Sequence, residues 1–296
     1  MFRKFLTVVA LLSAFALPGQ AMAKIRVAAS INDLASIASS VGGDEVEVFS
    51  IARSVNDTHH IEVLPSYMVK VSRARVYLKV GLGLDQWADG IIDGSRNAHI
   101  VVVDCSKDVP VLEKPTQQVN ASMGDVHPYG NPHYWPDPRN GAIVAKTIAE
   151  AFASIDPKNA SEYRARAEKF GKEAGDAWSR GKAVAAQMPV KVVVTYHRSW
   201  TYFANAFGFE VAAEAEPVPG IPPTGKHLAD VVKIVKERHV PVFLQEPWFS
   251  GDAGRFLARE AGIRVVVASP SCDTTAPGSY LSHITELVGE VGGGKP

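Results

Sequence analysis

Histidine is the residue type of this chain with the most chemistry to offer: nine are present, against two cysteines. His59 and His60 follow a strand-like segment and the polar turn Ser54-Val55-Asn56-Asp57-Thr58. His133 lies in Asn131-Pro132-His133-Tyr134-Trp135-Pro136-Asp137-Pro138, immediately before a helical pattern. His197 follows the apolar run Val192-Val193-Val194-Thr195-Tyr196, and Asp273 ends Ser269-Pro270-Ser271-Cys272-Asp273 after another such run. Three imidazoles and one carboxylate form a donor set for tetrahedral Zn²⁺, which takes nitrogen at about 2.0–2.1 Å. A single carboxylate would leave the site at about +1, easier to bury than a bare dication. Composition alone favours four unrelated loop side chains, because a scattered histidine is usually a surface or satisfied core residue. Position argues the other way. Each of the four follows a strand or precedes a helix, and in open α/β sheets ligands gather outside the carboxyl ends of strands.

The elements that must position them alternate. Strand-like runs at 25–30, 46–51, 76–80 and 99–103 are interleaved with helical spacing at 31–41, 65–74 and 84–92. The rhythm restarts at 191–196 and continues through strands at 210–215, 241–245 and 264–268 and helices at 199–207, 227–238, 254–261 and 280–288. Between the two runs, 137–188 is rich in Ala, Glu, Lys and Arg and predicts a helix at 140–154 and a longer one at 161–188. The longer helix spans about 42 Å, enough to cross the molecule. The expected fold is α/β: two α/β lobes with parallel-type sheets, at 24–155 and 190–296, joined by one long connecting helix at 156–189.

Residues 1–23 read as a cleaved signal peptide: Arg3-Lys4, an apolar run to about residue 17, then Ala21-Met22-Ala23 before Lys24. The run is shorter than the roughly 20 residues that span a bilayer. No cysteine stands at the cleavage site, so a lipid anchor is not expected, and the reading is a monomeric periplasmic protein. Without the leader, 273 residues remain with a net charge of about −2, because the leader carries two of the 31 basic residues and none of the 31 acids. Nothing here suggests nucleic acid, and no basic run marks a membrane surface. Cys105 and Cys272 do not form a C-x-x-C or a zinc ribbon, although an oxidising compartment would permit a disulfide between them.

At these residues the chain resembles the cluster A-I metal-binding solute-binding proteins of ABC importers, which include the periplasmic zinc binders. Asp57-Thr58-His59-His60-Ile61-Glu62-Val63-Leu64-Pro65-Ser66 is similar to D-P-H-x-Y-E-x-x-P-S, with Thr58 and Ile61 departing from it. Asn131-Pro132-His133-Tyr134-Trp135-Pro136-Asp137-Pro138-Arg139-Asn140 is close to D/N-P-H-x-W-x-D-P-x-N. Tyr196-His197-Arg198-Ser199-Trp200-Thr201-Tyr202-Phe203-Ala204 resembles the third motif, and Val80-Gly81-Leu82-Gly83-Leu84-Asp85-Gln86-Trp87 and Gln245-Glu246-Pro247-Trp248-Phe249-Ser250 add support. The resemblance covers essentially the whole chain beyond the leader. It implies His59, His133, His197 and Asp273 as metal ligands, although Asp273 lacks the usual D-P-L-G surroundings. His60 stands as a substitute for His59, Cys272 as a competitor of Asp273, and Glu246 as a structural residue or one lying just behind the ligands. The long His/Asp-rich loop of many zinc members is reduced here to a short stretch with Asp125 and His127, read as a solvated loop or as an aid to capture.

The function implied is binding rather than catalysis: Zn²⁺ held between the lobes and handed to an inner-membrane ABC permease, with a periplasmic zinc chaperone as a further partner. Histidine at 197, where manganese-type members tend to carry glutamate, favours zinc over Mn²⁺ or Fe²⁺. A zinc hydrolase would keep an open coordination position, and the chain has no H-E-x-x-H. A host-surface adhesin finds no demand in the sequence.

Overall fold

The computed structural model describes residues 24–120 and 123–293; the expected leader at 1–23 lies outside the described residues. Strands β1 (Ile25–Ile31), β2 (Val46–Ala52), β3 (Val76–Lys79) and β4 (Val101–Asp104) form one sheet in the order β2-β1-β3-β4. Strands β5 (Val192–Thr195), β6 (Glu210–Glu214), β7 (Val242–Gln245) and β8 (Arg264–Val267) form a second in the order β6-β5-β7-β8. Every pairing in both sheets is parallel. Strands such as Val192-Val193-Val194 and Val242-Phe243-Leu244 read as unbroken apolar runs because parallel strands are covered on both faces. In each sheet the central strand pairs with the next but one in sequence, so the chain reverses its winding there, and the carboxyl ends form a crevice.

The helices are α1 (Asn32–Gly42), α2 (Pro65–Val71), α3 (Trp87–Ser95), α4 (Pro138–Ile155), α5 (Ala160–Ala186), α6 (Thr201–Phe207), α7 (Gly225–Arg238), α8 (Asp252–Ala261) and α9 (Ser279–Gly292). Helix α4 begins where the sequence dictates: Asp137 accepts the Arg139 amide as its cap and Pro138 occupies the first turn. Helix α5 runs for 27 residues with Tyr163, Ala167, Phe170, Ala174, Ala177, Gly181 and Ala185 buried. That three-and-four spacing is a narrow apolar stripe, and mostly small side chains let α5 lie close to α1, α4, α6 and α9. One continuous apolar core then takes residues from both sheets, including Val27, Leu78, Val193 and Leu244, together with these helices.

The final helix does not stay with the lobe that precedes it. Helix α9 packs on α1 and α5, and the loop leading to it is bound along the start of α1. Asn32 Nδ2 donates to the carbonyls of Cys272 (2.9 Å) and Asp273 (3.0 Å), and Ser36 Oγ donates to that of Ala276 (2.7 Å). Trp135 Nε1 donates to the Pro270 carbonyl at 3.0 Å, and Tyr280 Oη to that of Trp135 at 2.6 Å. Both cysteines are buried and unbridged, and Cys272 Sγ donates instead to the Thr274 carbonyl at 3.4 Å.

Asp33 sits inside this seam, accepting the Cys272 amide at 3.2 Å. Burial pushes its carboxyl up to about 7 against the pull of those hydrogen bonds. The folded protein therefore holds a proton on Asp33 that the unfolded chain has already released, from about pH 4 up to about pH 7. Stability from this source is fully present below the unfolded value and is lost as pH rises through the folded one. Asp33→Asn keeps the acceptor and removes the loss. The melting temperature of the chelator-stripped variant is expected to match the parent near pH 4.5 and to exceed it by a few degrees at pH 8. Parallel pH profiles would show that Asp33 is not protonated in the fold.

Candidate metal centre

The crevice between the sheets collects side chains from five strand ends. The β2–α2 loop carries His59, the β4–α4 connection carries His127 and His133, and His197 follows β5 directly. Glu216 follows β6 and Glu246 follows β7. The rings of His59, His133 and His197 form a near-equilateral triangle, with centroids 5.0, 5.1 and 5.2 Å apart. One nitrogen from each lies within 4.8 Å of the other two.

Each ring is fixed by the nitrogen facing away from the triangle. His59 Nδ1 donates to Asp57 Oδ1 at 2.8 Å, and the same oxygen accepts the His59 amide at 3.0 Å. His133 Nδ1 lies 2.9 Å from Asn131 Oδ1, which also accepts the His133 amide. Because that amide can only donate, the atom it meets must be the Asn131 oxygen, and Nδ1 carries the ring proton. The Asn131 amide in turn donates to the carbonyl of Arg198, next to His197. His197 Nδ1 lies 2.6 Å from Glu216 Oε2, with both side chains buried. Trp87 Nε1 steadies the first loop by donating to the Thr58 carbonyl at 2.9 Å.

With each Nδ1 engaged, the lone pairs of the neutral rings lie on Nε2. The Nε2 atoms of His59, His133 and His197 are all buried and make no hydrogen bond. Buried polar atoms are otherwise almost always paired. A divalent cation is the partner that three convergent imidazole lone pairs can share, and the carboxylate or amide behind each ring is the usual support of a metal-binding histidine.

Protonation follows the same layout. Burial and the neighbouring imidazoles hold His133 well below the usual histidine value. Burial opposes charge on His197 too, but Glu216 and Glu246 outweigh it and His197 is raised. Glu246 is fully buried and pushed up to about 7 by desolvation; Ser199 Oγ donates to its Oε1, while Oε2 has no partner.

Asp273 does not join the triangle. Its side chain is exposed, with Oδ1 accepting the Ser54 hydroxyl at 2.7 Å, while its carbonyl is tied to Asn32. The loop is thereby drawn along α1 rather than over the imidazoles. His60 is turned outward, its Nε2 3.9 Å from Asp125 Oδ2 and its side chain 71% exposed. Cys272 is buried under the Asp273 loop, bound to the Thr274 carbonyl. His127, by contrast, is stacked on His59 with ring centroids 5.4 Å apart. Glu216 escaped the sequence reading altogether. The one available signal was an acid directly after a strand, on the same edge as the histidines.

Residues 27–291 match the family described as zinc-uptake complex component A, periplasmic. The iron-binding protein YfeA of Yersinia pestis is 25% identical over 290 residues, covering 94% of this chain and 88% of that protein. The manganese ABC transporter substrate-binding lipoprotein PsaA of Streptococcus mitis is 26% identical over 243 residues, covering 75% and 72%. A crystal structure of ZnuA superposes with a TM-score of 0.80 at 24% identity, over 92% of this chain and 99% of that one. Among the described residues no helix is long and apolar enough to cross a membrane. The chain belongs to the periplasmic zinc-uptake component A family, within the cluster A-I metal-binding substrate-binding proteins of ABC importers.

Proposed function

We propose that this protein captures Zn²⁺ in the periplasm and delivers it to an inner-membrane ABC permease, with His59, His133 and His197 as the core ligands. The observation that carries this reading is the set of three buried Nε2 atoms without partners, each ring anchored from behind through its Nδ1. An all-imidazole core suits the borderline ion, whereas Mn²⁺ favours more oxygen. The Asp57 and Glu216 carboxylates reach the far nitrogens rather than the metal position, so they supply negative charge without hardening the donor set. A manganese or iron receptor is the second reading, carried by the names of relatives that share most of the chain. In either case the two lobes at 24–155 and 190–296, linked through 156–189, would act as the frame, with the last helix of the second crossing back onto α1 and α5. The reaction is uptake and release, with export directed by the leader at 1–23.

Calorimetry on the chelator-stripped protein is expected to give one tight zinc per chain and much weaker manganese. His59→Ala, His133→Ala and His197→Ala should each weaken zinc by more than about 100-fold, since even groups behind the ligands are worth 10–100-fold. Tighter manganese or Fe²⁺ than zinc would select the second reading, and unchanged zinc binding in the three variants would remove the site.

The metal must displace the His197 proton, and that histidine is raised. Zinc affinity should therefore fall as pH drops from 8 to 6. Glu216→Gln removes the main support of the protonated ring and should move that fall to lower pH. It should also weaken zinc at pH 8 by about 10–100-fold. An identical pH profile in the variant would show that Glu216 does not set the state of His197.

A further inference from the structure

Four glycines lie inside α4 and α5, and their surroundings divide them. A Cβ on Gly141 would fall 2.6 Å from the Tyr280 ring, and one on Gly181 would fall 2.4 Å from that of Phe207. Close packing requires glycine at these two places. It does not at Gly171 and Gly175. A Cβ on Gly171 would meet the Ala142 methyl at 3.8 Å, an ordinary contact, and one on Gly175 would meet nothing within 4 Å. Neither residue has the positive φ that excludes a side chain. Alanine fits both positions and would hold the helix better, because glycine loses more backbone freedom on entering a helix interior.

The pair stands where α5 changes partners. Before it, the helix is bound to the first lobe. Arg166 Nε donates to the Val41 carbonyl at 2.7 Å and its Nη2 to that of Gly42 at 3.1 Å, both at the end of α1. Arg164 is paired through two nitrogens with Glu150 of α4. After it, the helix is bound to the second lobe. Trp178 Nε1 donates to the Ala206 carbonyl at 2.8 Å, and Phe207 of α6 lies against Gly181. Arg139 of α4 reaches across, stacked over the Trp178 ring at 4.9 Å. Helix α9 runs beside this stretch and is anchored at both ends as well. The Tyr280 amide donates to Ser36 Oγ at 3.0 Å, and the Arg264 guanidinium of β8 donates to the Glu290 and Val291 carbonyls. A change in lobe tilt must therefore be taken up along these helices, and in α5 the place without close packing is 171–177.

We propose that Gly171 and Gly175 form a soft joint in the connecting helix, at which the second lobe tilts against the first as metal is taken up and released. The proposal rests on the crevice between the lobes as the metal site. Its own content is the place where the motion is absorbed. His59 and His133 belong to the first lobe and His197 to the second, so tilting at the joint separates His197 from the other two. The bonds from Asn32 and Ser36 to the loop at 272–276 stay closed, which keeps the motion a small tilt rather than a wide opening. A helix with alanine at both positions resists bending, and the release step slows with it.

The test uses the full chain after export, with Gly171→Ala, Gly175→Ala and the double variant. Gly90→Ala is the control: it lies inside α3 of the first lobe, and a Cβ there would meet Val63 at an ordinary 3.6 Å. All four variants are expected to melt a few degrees above the parent when metal-free. Amide hydrogen exchange of the metal-free parent should be faster at 171–178 than on either side along α5, and slowed there in the double variant. Zinc release to a competing chelator, followed by stopped flow, should slow about 3–10-fold in the double variant and stay at the parent's rate in Gly90→Ala. Release at the parent's rate in the double variant, despite its higher melting temperature, would overturn the proposal. So would even protection along 160–186 in the parent, or equal slowing in Gly90→Ala. Failure of the metal site itself reads differently: the parent would take up no stoichiometric zinc, and the exchange pattern of the metal-free chain would still decide whether the joint exists.

Discussion

An imidazole nitrogen buried without a hydrogen bond costs on the order of 1–3 kcal/mol, and this fold gathers four of them in one enclosure. Left alone, such rings would swing toward water or toward one another's protons. They are prevented by what stands behind them: the Asp57 carboxylate, the Asn131 amide oxygen, the Glu216 carboxylate and the Gly83 backbone. Much of the surrounding structure serves these four anchors. Trp87 pins the loop of His59, Tyr202 Oη donates to the Asn131 carbonyl, and the Gly220 amide shares Glu216 with His197. The cost of the unpaired nitrogens is sustained by a core large enough to tolerate it.

The electrostatics separate the affinity of the site from its selectivity. In the site as proposed, imidazoles would set the donor hardness at the metal position, while the carboxylates stand behind them or at a remove. Glu246 is the clearest example, fully buried, near His197, and with one oxygen unpartnered. A carboxylate placed there acts on His197 through its charge. Carboxylates moved forward among the ligands would serve a harder ion.

Much of this was legible in the sequence. Strand-like runs and helical patterns marked all eight strands and the nine helices seen among the described residues, because most of the parallel strands are short, largely apolar runs. His59, His133 and His197 stood out through the motifs they share with the metal-binding solute-binding proteins, and the fold brings the three together. What was not legible depends on contacts between distant segments. Glu216 lies 19 residues from the ring it holds, across a strand pair whose register no pattern announces. Asp273 sits at the right strand end, but the affinity of its loop for Asn32 and Ser54 sends the carboxylate elsewhere. His127 stands in an aperiodic stretch that reads as a solvated loop until the bond from the Asp125 amide to the Pro219 carbonyl is known.

The return of α9 to α1 has a consequence for how the chain comes to be folded. Residues 32–36 find their partners about 240 positions later, at 272–280. Until the last helix is available, α1 lacks one of the surfaces it packs against, and the seam around Asp33 cannot close. Contacts this remote must pay their loop-closure entropy before they contribute, so they form late. A chain emerging from the ribosome at about 5–20 residues per second would thus spend much of its synthesis unable to complete its first lobe. The topology that braces the finished molecule also keeps the growing one open.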